Sequence, residues 1–298
     1  MDRDRYWSSR LHRQAQTVAY LLALVGLLLG LGWLVFGPWG AVWAGLGSLL
    51  LIGLGAQVPA PVVMRLRRAR RLQVWEARDL YALVAELGRR SGLPRPPDVY
   101  LAPDREPQAF AVGHPDDSAV AVTRGLLARL SRPELAGVLA HEVSHVADGD
   151  LRILSLARTA RRFTGSIAML GWILWTMSVI GVLPAVSSWN VILLALIPAA
   201  STLVEAAVSR TREFDADLSA AGLIGDPRPL AAALLRLRAY QEGMRRWMPW
   251  LAVADLVPEP LRSHPSIDER VRRLLALLSE PPRPRHLTGL RPRVVDLV

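Results

Sequence analysis

The sequence predicts an α-helical integral membrane protein that carries an α+β domain on one side of the bilayer. Two observations carry this. Residues 14–64 and 163–204 contain no Asp, Glu, Lys or Arg, and each stretch is long enough for a pair of spans of about 20 residues. The segments between and after them combine helical periodicity with three short β-prone runs. This segregation explains how 51% hydrophobic and 21% charged residues coexist in 298 residues.

In chain order, 17–36 reads as the first span, Gly37-Pro38-Trp39-Gly40 as a tight turn and 41–60 as the second span. A cleavable signal peptide would have a shorter apolar core and a small-residue cleavage site. Leu72, Trp75, Leu80, Leu83, Val84 and Leu87 recur at helical spacing over 71–91, and Gly92 with Pro94-Arg95-Pro96-Pro97 stops that helix. Residues 98–102, 108–112 and 118–123 read as a small sheet. Ser131-Arg132-Pro133-Glu134 has the spacing of a capping box, so a helix starts there and runs past His145. The second charge-free stretch divides at Pro184-Ala185-Val186-Ser187-Ser188 into spans 163–183 and 189–208, with Pro198 and Glu205 inside the latter. Residues 228–246 and 267–278 read as helices. The expected organisation is therefore a membrane hairpin (1–64), a first part of the soluble domain (65–162), a second hairpin (163–208), a second part (209–280) and a flexible Pro- and Arg-rich tail (281–298).

Arginines set the orientation. Arg3, Arg5, Arg10 and Arg13 precede the first span, and Arg65, Arg67, Arg68, Arg70 and Arg71 follow the second. Arg158, Arg161 and Arg162 precede the third, and Arg210 and Arg212 follow the fourth, whereas both connecting turns are uncharged. The positive-inside rule then places both termini and the domain in the cytoplasm, on a multi-pass protein of the cell membrane. The net charge of +10 would suit nucleic acid, but arginines gathered at span ends are better explained by anionic lipid headgroups. The bilayer, and no nucleic acid, is the expected partner. With no cysteine, disulfides and thiolate metal sites are excluded.

The chemistry concentrates in His141-Glu142-Val143-Ser144-His145. On a helix, residues four apart share one face, so both imidazoles can bind one ion. Glu142 can take the proton of a water on that ion. A catalytic zinc usually has three protein ligands and one open position. Asp148 and Leu151 stand where a metzincin would continue with Gly and a third His, which removes that class. Arg212-Glu213-Phe214-Asp215-Ala216-Asp217 follows the fourth span, and on a helix Glu213 and Asp217 share a face. Glu213 could complete a two-His, one-Glu site, and Asp217 could accept the free N–H of a ligating histidine.

Residues 139–150 and 209–217 resemble the zinc helix and the third-ligand segment of the HtpX-type membrane metallopeptidases, in the superfamily that includes the CAAX prenyl proteases. The resemblance spans nearly the whole chain and ends in His264-Pro265-Ser266-Ile267-Asp268-Glu269-Arg270. It implies a zincin-like cytoplasmic catalytic domain with one zinc per chain, held by His141, His145 and Glu213. It further implies general-base work by Glu142, and stabilisation of transition-state charge by His264 and Arg270. Pro107-Gln108-Ala109-Phe110-Ala111 would be the edge strand that pairs with substrate backbone, with Gln108 where the family usually has Asn. Protein or peptide substrates and a role in membrane-protein quality control follow from the same resemblance. His12, His114 and His286 read as solvated or turn residues.

Two rivals are weaker on the sequence. An intramembrane protease of the site-2 type would embed its zinc helix, whereas Arg132, Glu134, Asp148, Asp150 and Arg152 surround this one. A zinc-binding membrane scaffold would have no need for the base Glu142.

Overall fold

The computed structural model describes residues 59–182, 188–247 and 265–279, with parts of 19–49. Its centre is a four-stranded sheet of order β1-β2-β4-β3, made from Arg70–Arg71, Asp98–Ala102, Ala109–His114 and Asp117–Thr123. β2 runs parallel to β4, and β1 and β3 run antiparallel to their neighbours. β3 lies at the sheet's edge, with β4 as its one partner among the described residues. The helices are α1 (Ala60–Leu66), α2 (Arg78–Arg90), α3 (Arg124–Leu127), α4 (Arg132–Ala147), α5 (Asp150–Val179), α6 (Ser188–Ile224), α7 (Arg228–Trp247) and α8 (Ile267–Ser279).

Alternation along the strands gives the sheet two covered faces. Val99, Ala111, Val120 and Val122 join the main core with Val84 and Leu87 of α2 and Leu139, Ala140 and Val143 of α4. Leu230 of α7 and Leu274 of α8 close that core. On the other face Tyr100, Ala119 and Ala121 meet Ala60 and Met64 of α1, with Phe110 and Val112 packed alongside. Period-2 side chains thus place helices on both faces and leave the β3 edge open between them.

Most element positions agree with the sequence reading, and the departures have physical reasons. The helix expected from residue 71 starts at Arg78 because Arg70 and Arg71 pair with Leu101 and Tyr100 as a short strand. A turn follows, held by the Gln73 N–H on Glu76 Oε2 at 2.8 Å. The expected spans shift against the helices: α5 begins at Asp150 and ends at Val179, short of the expected end at 183, whereas 189–208 falls inside α6, which continues to Ile224 without a break at Pro198 or after Val208. Helix is already present at 37–49, where the Gly37–Gly40 turn was expected. The second expected turn at 184–188 lies largely outside the described residues, as does the tail from 281. Among the described residues no helix is long and apolar enough to cross a membrane.

Helix α4 is placed by contacts along its length. The Ser131 N–H and hydroxyl both donate to Glu134 Oε2, at 2.7 and 2.8 Å, closing the first turn. Midway, α4 crosses α7 at Gly137, where a Cβ would stand 2.8 Å from the Leu230 backbone nitrogen and 2.9 Å from its Cα. Backbone on backbone leaves no flexible group to move aside. Gly137→Ala should therefore destabilise the domain by about 1–3 kcal/mol through overpacking, despite alanine's better helix propensity. A thermal unfolding midpoint equal to or above wild type would show that the crossing tolerates a methyl group.

Candidate metal centre

Two helices and a turn bring the polar cluster together. α4 presents His141 and His145 one turn apart, with ring centroids 4.7 Å apart and planes at 85°. α6 brings Glu213 opposite them, its carboxylate 3.5 Å from His141 Nε2 and 3.9 Å from His145 Nε2. One ligand atom from each of His141, His145 and Glu213 lies within 4.8 Å of the others, and all three residues are buried. Two imidazoles and a carboxylate converging at that spacing match the donor set of a catalytic divalent-metal site with an open position.

Each histidine is backed by a carboxylate on its outer nitrogen. Asp217, one helical turn beyond Glu213, places Oδ1 3.0 Å from His141 Nδ1. Behind His145 stands Asp150, with Oδ2 3.3 Å from Nδ1. Asp150 is fully buried, and Arg212 Nη1 lies 2.8 Å from its other oxygen. Local chain geometry aims it: Asp148 caps the C-terminus of α4, Gly149 adopts the left-handed φ of +71°, and α5 begins with Asp150. A residue with a side chain strains at that φ, so the Asp-Gly-Asp order is what turns the chain there.

Arg270 of α8 ties the carboxylates together. Its Nε and Nη2 donate to Asp217 at 2.7 Å each, and its Nη1 lies 2.8 Å from Glu213 Oε2. A planar fork of this kind matches a carboxylate two bonds at a time. His264, expected beside it, lies outside the described residues.

Glu142 follows His141 and leans toward the sheet. Its Oε2 accepts the backbone N–H of Ala111 at 2.9 Å. That N–H points away from β4. The Thr123 N–H donates to Gln108 O at 3.0 Å, and alternation from this pair turns Phe110 and Val112 toward β4 and Ala109, Ala111 and Gly113 outward. Gln108 itself is anchored by its N–H on Thr123 Oγ1 at 3.0 Å. The open edge thus runs directly beside the Glu142 carboxylate. Burial pushes the Glu142 carboxyl above the usual carboxylate range, against the pull of His141 and His145.

The sequence reading had placed His141, His145, Glu213, Asp217, Glu142 and Arg270 in one site, and the structure brings these six together. Two partners were missed. Asp150 carried a usable signal, the Asp-Gly-Asp turn directly after the second histidine. The Ala111 N–H carried none, because a backbone donor has no side-chain signature.

Convergent imidazoles and a carboxylate, with a further glutamate on α4 and an open strand edge beside it, define a metallopeptidase centre. The comparisons agree. The profile of peptidase family M48 matches residues 74–278. Proteins named Protease HtpX homolog are similar over most of their length. That of Sulfurihydrogenibium sp. is 36% identical over 88% of this chain and 95% of its own. That of Acaryochloris marina is 35% identical over 89% and 94%, and that of Pyrococcus abyssi 33% identical over 89% and 96%. The chain belongs to peptidase family M48, and it is a metalloprotease.

Proton and metal compete at this centre. Burial, the largest single influence on His141, opposes its charge, and so does Arg270, but the bonds to Asp217 and Glu213 win and raise its pKa to about 9. In the metal-free protein this raised value contributes stability that is fully present below about 6.5, the unfolded value, and is lost as pH rises through about 9. Metal uptake should therefore release a proton near neutrality and strengthen about tenfold per pH unit up to about pH 9. Calorimetric titration of the stripped protein with zinc, in buffers of different ionisation enthalpy, reads that proton. Glu213→Ala should leave well below one equivalent of metal bound, and full occupancy in that variant would remove Glu213 from the ligand set.

Proposed function

We propose that this protein is a zinc-dependent, membrane-bound endopeptidase that cleaves exposed segments of membrane or misfolded proteins, in quality control on the cytoplasmic face. One observation carries the reading most of the way: His141, His145 and Glu213 converge within 4.8 Å while Glu142, on the same helix, is bonded to the open edge of the sheet. His141, His145 and Glu213 would hold one zinc ion, which when bound supplies a Lewis acid that polarises the scissile carbonyl and acidifies water. Asp217 and Asp150 fix the ring orientation of the two histidines by accepting their outer N–H groups. Glu142 accepts the proton of the attacking water and returns it to the leaving amine. Arg270 holds Glu213 and Asp217 in place and, with His264, offsets charge developing on the carbonyl oxygen. The outward backbone groups of Ala109 and Ala111, next to Gln108 and Phe110, receive an extended peptide by strand addition, which is indifferent to side-chain identity.

Two charge-free stretches flanked by arginines support the membrane reading. So does the wide exposure of Trp39, Trp43, Leu49, Met169, Trp172, Val179 and Trp189, apolar side chains that an aqueous surface does not favour. The scaffold alternative leaves Glu142 without work.

Replacing Glu142 by Gln keeps shape and removes the base. Glu142→Gln should retain zinc and fold but cleave casein about 10²–10⁴-fold more slowly. Cleavage at the wild-type rate would refute the hydrolytic mechanism. For topology, a reporter active only outside the cytoplasm should stay silent after Val298 and report when inserted near Ser187; the opposite pattern would reverse the orientation and the substrate pool.

A further inference from the structure

The open β3 edge is flanked on one side by the polar cluster and on the other by α1. Side chains of any strand added to that edge must alternate between these two faces. The metal face is accounted for by the hydrolytic reading, and the α1 face carries an unassigned charge.

α1 lies on the sheet through Ala60 and Met64, both buried. Arg67 continues the same helical stripe at the next i+3 position, so it is directed at the sheet. Its guanidinium carbon stands 5.2 Å from the centroid of the Phe110 ring, on β3 itself. Arg65 and Arg68 lie off that stripe. Of the arginines that follow α1, Arg70 pairs with Glu76 and Arg71 with Asp98. Arg67 is exposed and makes no ion pair among the described residues. A residue of an added strand directly opposite Phe110 would have its Cβ about 5 Å from that of Phe110. A carboxylate there can reach the guanidinium, while an ammonium would be repelled by it.

We propose that Arg67 reads the charge of the substrate, favouring peptides that carry an acidic side chain on the α1 face of the strand they add to β3 and disfavouring basic ones there. This rests on the peptidase reading and names a substrate class for the same site. The stripe geometry favours a peptide over a lipid phosphate as the partner of Arg67, because it directs the guanidinium to the strand edge rather than away from the sheet.

The test uses the full chain in uncharged detergent micelles and in nanodiscs containing phosphatidylglycerol. Fluorescent peptides spanning one casein cleavage site carry Glu or Lys at a single position, each position in turn. Binding is read by anisotropy on Glu142→Gln protein, and cleavage on protein with Glu142 intact. At alternate positions Glu peptides should bind about three- to tenfold more tightly than Lys peptides, the scale of an exposed ion pair set against repulsion. That ratio should shrink in 0.5 M salt, invert in Arg67→Glu and persist in the control Arg65→Glu. A ratio near one at every position, or one that Arg67→Glu leaves unchanged, overturns the proposal while the peptidase reading stands. A preference erased by phosphatidylglycerol assigns Arg67 to lipid phosphate and also overturns it. Arg67-dependent binding without any cleavage would sustain it and sink the peptidase reading instead.

Discussion

Two imidazoles and two carboxylates packed into one interior are unstable company unless each charge has a partner. The Arg270 fork on Asp217 and Glu213 supplies that partner, and much of the architecture follows from its need to be buried. Breaking such a buried pair by removing one side typically costs about 3–5 kcal/mol, because an uncompensated charge remains. α8 must therefore dock against α6, and it does so with a second contact, Arg273 over the Phe214 ring at 3.7 Å. Asp150 and Arg212 repeat the arrangement on the far side, tying the start of α5 to α6 behind His145. The His-His-Glu cluster is held from behind by ion pairs that join three helices, α5, α6 and α8.

The open side of the site is governed by the sheet. β3 uses one set of its backbone groups to bond β4 and offers the other set outward, and Glu142 takes one of these. The Glu142 carboxylate is positioned by main chain, which cannot swing away as a side-chain partner could. A strand edge is ordinarily a liability, open to pairing with any extended chain. Beside a hydrolytic centre the same openness would admit an extended substrate, as proposed above.

Legibility in the sequence followed locality. Ser131 and Glu134 are three residues apart, and the cap they form was readable as such; His141 with His145, and Glu213 with Asp217, depend on one helical turn. β2 was found because Val99, Tyr100 and Leu101 form a β-prone run. β1 was not, since Arg70 and Arg71 have no strand pattern and pair only because Leu101 and Tyr100 lie opposite. The grip of Arg270 on Glu213, and that of Arg212 on Asp150, depend on how distant helices pack, which no short window contains. The long reach of α5 and α6 was also hidden, because apolar composition marks where a helix is apolar and says nothing about where it ends.

α6 runs unbroken from Ser188 to Ile224, so the apolar residues before Val208 and the carboxylates of Glu213 and Asp217 sit on one rod. At a rise of 1.5 Å per residue, residue 200 lies about 20 Å from Glu213 along its axis. A tilt of about three degrees over that length displaces the far end by roughly 1 Å, several times the tolerance of about 0.2 Å within which ligand distances are judged. Whatever grips the apolar half of the rod, by its thickness or its stiffness, therefore has a mechanical hold on the Glu213 carboxylate. The enzyme's surroundings become part of the geometry of its His-His-Glu cluster.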